Sequence, residues 1–197
     1  MHLIIDKKKR KTKLPKVMRA AIRLFVRQGI DGATIHDIAR AAGVSEGALY
    51  RHFKSKDELA WHLFTTHLAE FTTHLFSIVL SQPTAERRIR AFVAECFTAF
   101  EANRNLFTYL ILSEHRELKK YPGSQLHPGH VILKVIQDGQ AAGEIRAGDP
   151  YILGSLVLGG IIRTCVVKIH GGIEDRLTEH TEDVGDLLWS MVKMEAP

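Results

Sequence analysis

The segment from Thr34 to Lys56 concentrates side chains suited to gripping phosphate oxygens. Tyr50, His52 and Lys56 offer a phenol O–H, a ring N–H and an ammonium, donor types that bind a nucleic-acid backbone. Arg40 and Arg51 add two guanidinium groups, which fit either phosphate contact or plain surface charge. Gly47 and Ala48 lie among these donors without bulk, so the backbone there can approach a large partner closely. Glu46 is the exception in sign. Its carboxylate repels phosphate but can accept from cytosine N4, which makes it either a base-reading residue or a solvated bystander.

These groups need short helices to aim them. Leu14, Val17, Met18, Ala21, Ile22 and Phe25 recur at helical spacing and predict a first helix that Gly29 ends. Thr34, with Asp37 three residues on, reads as the N-terminal cap of a second helix carrying Ile35, Ile38, Ala39 and Ala42. Gly43 supplies a left-handed turn, Val44 fills the space behind it, and Ser45 is expected to cap a third short helix reaching about His52. Leu49 and Phe53 read as core. Two short helices crossed at Gly43-Val44 make a helix-turn-helix candidate. Ser55 with Glu58 then opens a long fourth helix that Pro83 ends.

Charge is uneven. Residues 1–60 carry a net +8 and residues 61–197 a net −3, within a chain of 197 residues at +5. A basic module on a mildly acidic body suits a polyanion at one end, although a solvated basic tail fits charge alone equally well. The run Lys7-Lys8-Lys9-Arg10-Lys11 with Lys13 has no apolar period and reads as a disordered arm over residues 1–13. Cys96 and Cys165 lie in apolar helical contexts without metal or redox spacing, and fit buried reduced thiols. No segment reads as a signal peptide or a membrane span, so a cytoplasmic location is expected. His62 and His67 are five apart, not the four that places two ligands on one side of a helix, so no metal site and no cofactor is expected. The motifs of nucleophilic, metal-dependent or nucleotide-binding enzymes are missing, so no enzyme is expected.

The stretch Thr34-Ile35-His36-Asp37-Ile38-Ala39-Arg40-Ala41-Ala42-Gly43-Val44-Ser45-Glu46-Gly47-Ala48-Leu49-Tyr50-Arg51-His52-Phe53-Lys54-Ser55-Lys56-Asp57-Glu58-Leu59 resembles the DNA-binding signature of the TetR/AcrR repressors. Glycines, caps, aromatics and basic residues all fall in register, and with the first helix the likeness covers about residues 14–64. The resemblance implies that Ser45 to Tyr50, with Glu46, Gly47 and Ala48, lies in the major groove. It implies that Thr34, Tyr50, His52 and Lys56 touch phosphates. Glu46 departs from the family, where many relatives place Lys or Arg.

An all-α fold of about nine helices follows: a three-helix DNA-binding domain over 14–56, then a helical effector-binding and dimerisation domain over 57–197. Further helices are expected around Leu106 to Leu112, from Gly129 to Ala142, from Asp149-Pro150 to Ile169, and over Val184 to Met191. The helix after Pro150 is apolar nearly all round and is expected to be buried on several sides. The resemblance implies a small-molecule effector, with Phe64, His67, Phe71, Phe97, Phe100, Phe107, Tyr109, Leu112 and Arg163 as candidate pocket residues. An aromatic stripe at helical spacing is more often core than cavity wall, and Arg163 fits an acidic effector or an intersubunit hydrogen bond. Leu156, Gly159, Gly160, Leu187, Leu188 and Met191 are the candidate homodimer contacts, or else finish a monomer core. The implied partner is a pseudo-palindromic DNA operator, read by two recognition helices about 34–36 Å apart. A nonspecific architectural DNA-binding protein is the rival reading.

Overall fold

A computed structural model describes residues 2–120, 122–123 and 125–194, with side chains from residue 14 onward. Among the described residues there are nine α-helices and no strand. The chain divides into two compact units: Met1–His67 with Leu112–Lys120, and Leu68–Ile111 with Tyr121–Pro197. The sequence reading places a boundary at residue 56. Instead α4 (Lys56–Leu80) and α6 (Arg104–Glu117) each give residues to both units, because a continuous helix leaves no break where its packing partners change.

The first unit holds α1 (His2–Gly32), α2 (Ile35–Ala42) and α3 (Glu46–Tyr50). Val17, Ala21, Ile22 and Phe25 on α1 are buried with Ile38 and Ala39 on α2, Leu49, Phe53, and Leu59 and Leu63 on α4. At Gly29 the backbone leaves helical geometry with φ 74° and ψ 164°, as its type and place predict. Residues 2–13, expected as part of a disordered arm, have helical backbone continuous with α1, and Pro15 lies inside that helix. The basic side chains from Lys7 to Lys13 fall outside the described ones.

In the second unit, α5 (Ala85–Ala102) runs through the core, with Ile89, Phe92, Val93, Phe97 and Phe100 fully buried. It packs against α7 (Pro128–Ala141), α8 (Pro150–Ile169) and α9 (Thr181–Val192). Asp149 starts α8 as expected, its carboxylate accepting from the Tyr151 and Ile152 amides at 2.8 and 3.3 Å, with Pro150 in the first turn. The α7 start is less usual. His127 Nδ1 accepts from the Gly129 amide at 3.1 Å, while the His127 amide donates to His130 Nδ1 at 3.3 Å. Burial foremost, and then the neighbouring His130, hold the His127 imidazole below its ordinary pKa.

A short antiparallel bridge pairs Ile145 with Lys193, flanked by Arg146 N–H to Val192 O and Met194 N–H to Glu144 O, both 2.9 Å. The Glu144 carboxylate in turn accepts from the Ala85 amide at the start of α5, at 2.8 Å.

One expectation fails at α8. It packs through Leu153, Gly154, Val157, Ile161 and Cys165, but Tyr151, Ile152 and Leu156 are exposed. By length and composition α8 could cross a membrane, although the sequence reading finds no such segment, and most of its apolar window is unburied. Its neighbours in one chain cover a single face, which is why an all-round apolar pattern did not mean burial on several sides.

Candidate nucleic-acid interface

The helix-turn-helix is built from short-range hydrogen bonds. Thr34 Oγ1 accepts from the Asp37 amide at 3.1 Å and donates to Asp37 Oδ2 at 2.6 Å. Arg40 then donates to Asp37 Oδ1 at 2.7 Å. The Thr34 hydroxyl foremost, and Arg40 beside it, hold the Asp37 carboxyl below its usual range. Gly43 closes α2 in the left-handed region at φ 65°, ψ 40°, and the Val44 amide returns to Ala39 O at 3.0 Å. Nothing lies within 4 Å of where a Gly43 Cβ would sit, so backbone angle rather than space demands glycine.

The α3 helix is a single short turn, ending at Tyr50 rather than near His52. Ser45 stands at its N-cap position, but its hydroxyl makes no capping bond. The Ser45 hydroxyl therefore remains a donor toward solvent. Ser45, Glu46, Gly47, Tyr50, Arg51 and His52 are all exposed, Ala48 is half-buried, and Leu49 and Phe53 are core as expected. Tyr50 is 53% exposed, large for an aromatic with an apolar core at hand. A Cβ at Gly47 would meet nothing within 4 Å, so this fold leaves the outer face of α3 open. The carboxylate of Glu46 accepts from or ion-pairs with His36, Nδ1 to Oε1 at 2.8 Å. His36 carries no signal in the sequence, because its partner lies ten residues away on another helix.

Lys56, expected at a phosphate, has protein partners in this structure. Its ammonium donates to Asp31 O at 3.0 Å and Ala33 O at 2.9 Å, closing the chain after α1. Ser55 caps α4 by accepting from the Glu58 amide at 3.1 Å, and Glu58 accepts from the Lys54 amide. The reciprocal half of the expected box thus falls one residue earlier. Also in this unit, Arg116 reaches Asp31 at 2.6 Å and Asp57 at 2.8 Å. That guanidinium holds the Asp31 carboxyl below its usual range.

The candidate pocket residues scatter. Phe64, Phe97, Phe100 and Tyr109 are closed core positions, whereas Leu112 and Arg163 are exposed and His67 is half-buried. Phe71 and Phe107 are partly buried and meet edge to face at 5.3 Å, with Phe107 6.0 Å from Phe100. Cavities in the second unit lie elsewhere. One of about 250 Å³ is lined by His127, His130, Leu133, Tyr151 and Leu158, and one of about 450 Å³ by Arg88, Asp138 and Glu144.

The candidate dimer contacts also divide. Leu156, Gly159, Leu187 and Met191 are exposed, but Leu188 is buried. A Cβ on Gly160 would come within 2.7 Å of Leu188 Cδ2. Gly160 and Leu188 therefore join α8 to α9 inside one chain. Among the described residues no group of three or more His, Cys, Asp or Glu is placed to hold a metal.

A capped second helix, a left-handed glycine turn and an exposed short third helix define a helix-turn-helix DNA-binding protein. Residues 17–63 match the family described as bacterial regulatory proteins, tetR family. Over 188 residues, 93% of this chain and 97% of the other, the sequence is 22% identical to the fatty acid metabolism regulator protein of Bacillus subtilis. Over 57 residues, 27% of this chain and 26% of the other, it is 40% identical to the HTH-type transcriptional regulator AcrR of Shigella flexneri. Among solved structures, FadR from Bacillus subtilis in complex with stearoyl-CoA superposes with a TM-score of 0.74 at 20% identity, covering 90% of this chain and 98% of that one. The ketosteroid regulator KstR2 of Mycobacterium tuberculosis gives 0.75 at 20% identity, over 92% and 95%. The chain is a DNA-binding transcriptional regulator whose residues 17–63 carry the tetR-family domain.

Proposed function

We propose that the protein is a homodimeric repressor, acting in the cytoplasm on a pseudo-palindromic operator and released by an amphipathic small molecule. The effector is apolar along most of its length with one polar or acidic end. An acyl-coenzyme A thioester is the first to test. The observation that carries this reading is the partly buried Phe71–Phe107 pair leading into the aromatic core around Phe100. Likeness over nearly the whole chain to regulators of fatty acid metabolism, one of them in complex with stearoyl-CoA, supports the ligand class.

The core is closed around Phe97 and Phe100, so a long chain enters only if these rings move. A ligand that fits an opened core better than a closed one shifts the population, and α4 and α6 carry residues of both units. Coupling of about 1–3 kcal/mol lowers operator affinity about 5- to 150-fold. The exposed stripe of Ile152, Leu156, Gly159 and Arg163 on α8, with Leu187 and Met191 on α9, supports the homodimer face. Fluorescence anisotropy on a selected operator, with stearoyl-CoA, stearate and coenzyme A in separate titrations, tests it. Release by the thioester, lost in Phe107→Trp with operator binding kept, is the expected result. Unchanged operator affinity with every amphipath tried would end the proposal.

A further inference from the structure

His36 lies in the first turn of α2 and Glu46 opens α3, and their side chains meet on the outer face of the helix-turn-helix with Nδ1 and Oε1 2.8 Å apart. Both are exposed, at 66% and 47% of the side chain, and the helices that carry them are already joined by the Gly43 turn and the buried Ile38 and Leu49. A surface pair of this kind contributes little to folding. Its position is more telling than its strength, because a bare carboxylate on this face would repel every duplex alike.

The pairing changes what Glu46 presents. A carboxylate only accepts, so the bond requires His36 to donate from Nδ1–H. That donation fixes Glu46 in one orientation, offsets part of its charge and leaves Oε2 as an unfilled acceptor. The other charged groups near His36 are Asp37, engaged by Thr34 and Arg40, and Arg40 itself. In the major groove guanine shows only acceptors. Adenine sets its N6 donor beside the N7 acceptor, whereas cytosine offers N4–H without an adjacent acceptor. The geometry points to a base-reading pair: Glu46 accepts from cytosine N4 at one fixed position of each half-site, and His36 is the positioning residue that holds it there. This rests on the assignment of the α3 face to the major groove.

Selection of bound sequences from random duplexes, followed by competition at fixed salt, tests the pair. The unsubstituted protein should prefer cytosine at one position by about five- to a hundredfold. Glu46→Gln should move that preference toward adenine, since an amide pairs with both N6 and N7. His36→Ala should flatten the preference at that position alone, and His36→Gln, which keeps an N–H donor, should restore it. Affinity for scrambled duplex, measured alongside, separates loss of base reading from loss of duplex binding. Thermal melting confirms that the exposed substitutions leave the fold intact. The assignment is overturned if Glu46→Gln changes the base preference nowhere, or if His36→Ala discriminates cytosine as well as the unsubstituted protein.

Discussion

Replacing Lys56 with methionine keeps most of the aliphatic stem and removes the ammonium. The structure then loses two hydrogen bonds, to Asp31 O and Ala33 O at 3.0 and 2.9 Å. Bonds to a charged group contribute about 1.5–3 kcal/mol each when shielded from water. Asp31 is exposed and its carbonyl recovers a water, whereas Ala33 is buried. A net loss of about 1–2 kcal/mol follows, a fall in Tm of about 2–8 °C for a chain of this size. Urea unfolding should show a lower midpoint at unchanged slope. Duplex binding across a salt series gives the decisive contrast. A lysine spent on phosphate would cost about 0.9 in the slope of log affinity against log salt. A lysine spent on Asp31 and Ala33 leaves that slope alone. Unchanged stability with a slope reduced by about one would refute the structural reasoning and restore the phosphate role.

Gly43→Ala should destabilise the protein by about 1–2 kcal/mol, because alanine must hold a left-handed backbone, and urea unfolding reads this directly. Gly47→Ala should instead hold or raise stability, by up to about 1 kcal/mol, since that position is helical with open space. A drop in duplex affinity in the same variant would then report close approach to DNA. Burial pushes the Cys165 thiol up to about 12 and raises Cys96 well above its ordinary value, so neither should react with a disulfide reagent until the protein unfolds, which absorbance kinetics with and without urea will check. The His127 contribution is complete above the ordinary imidazole value of 6.5 and declines as pH falls below it, because the unfolded chain binds the proton more readily. His127→Gln should remove that part of the pH dependence in a thermal-melt series.

What is settled within one helical turn is legible in the sequence. Thr34, Ser55 and Asp149 cap as their types and neighbours predict, and Gly29 and Gly43 break helices where they stand. Ser45 shows the limit, since an N-cap residue type carries no guarantee that its hydroxyl turns inward. Long-range partners were not legible. Lys56 finds carbonyls 25 and 23 residues away, and a search for cations alone assigns it to phosphate. The same blindness hid His36. Periodicity marked the aromatic residues of α5 and α6 without telling a wall from a core, and only burial separates Phe100 from Phe107. On α8 an all-round apolar pattern carried no record of which side the rest of the fold would leave exposed.

Glu144 has a consequence for anyone shortening or extending this protein. Its carbonyl is held by the amide of Met194, and its carboxylate holds the first amide of α5. Removing Met194 would therefore slacken a knot whose other end is the opening turn of the central helix. A purification tag is safer spliced beyond that knot than in place of it.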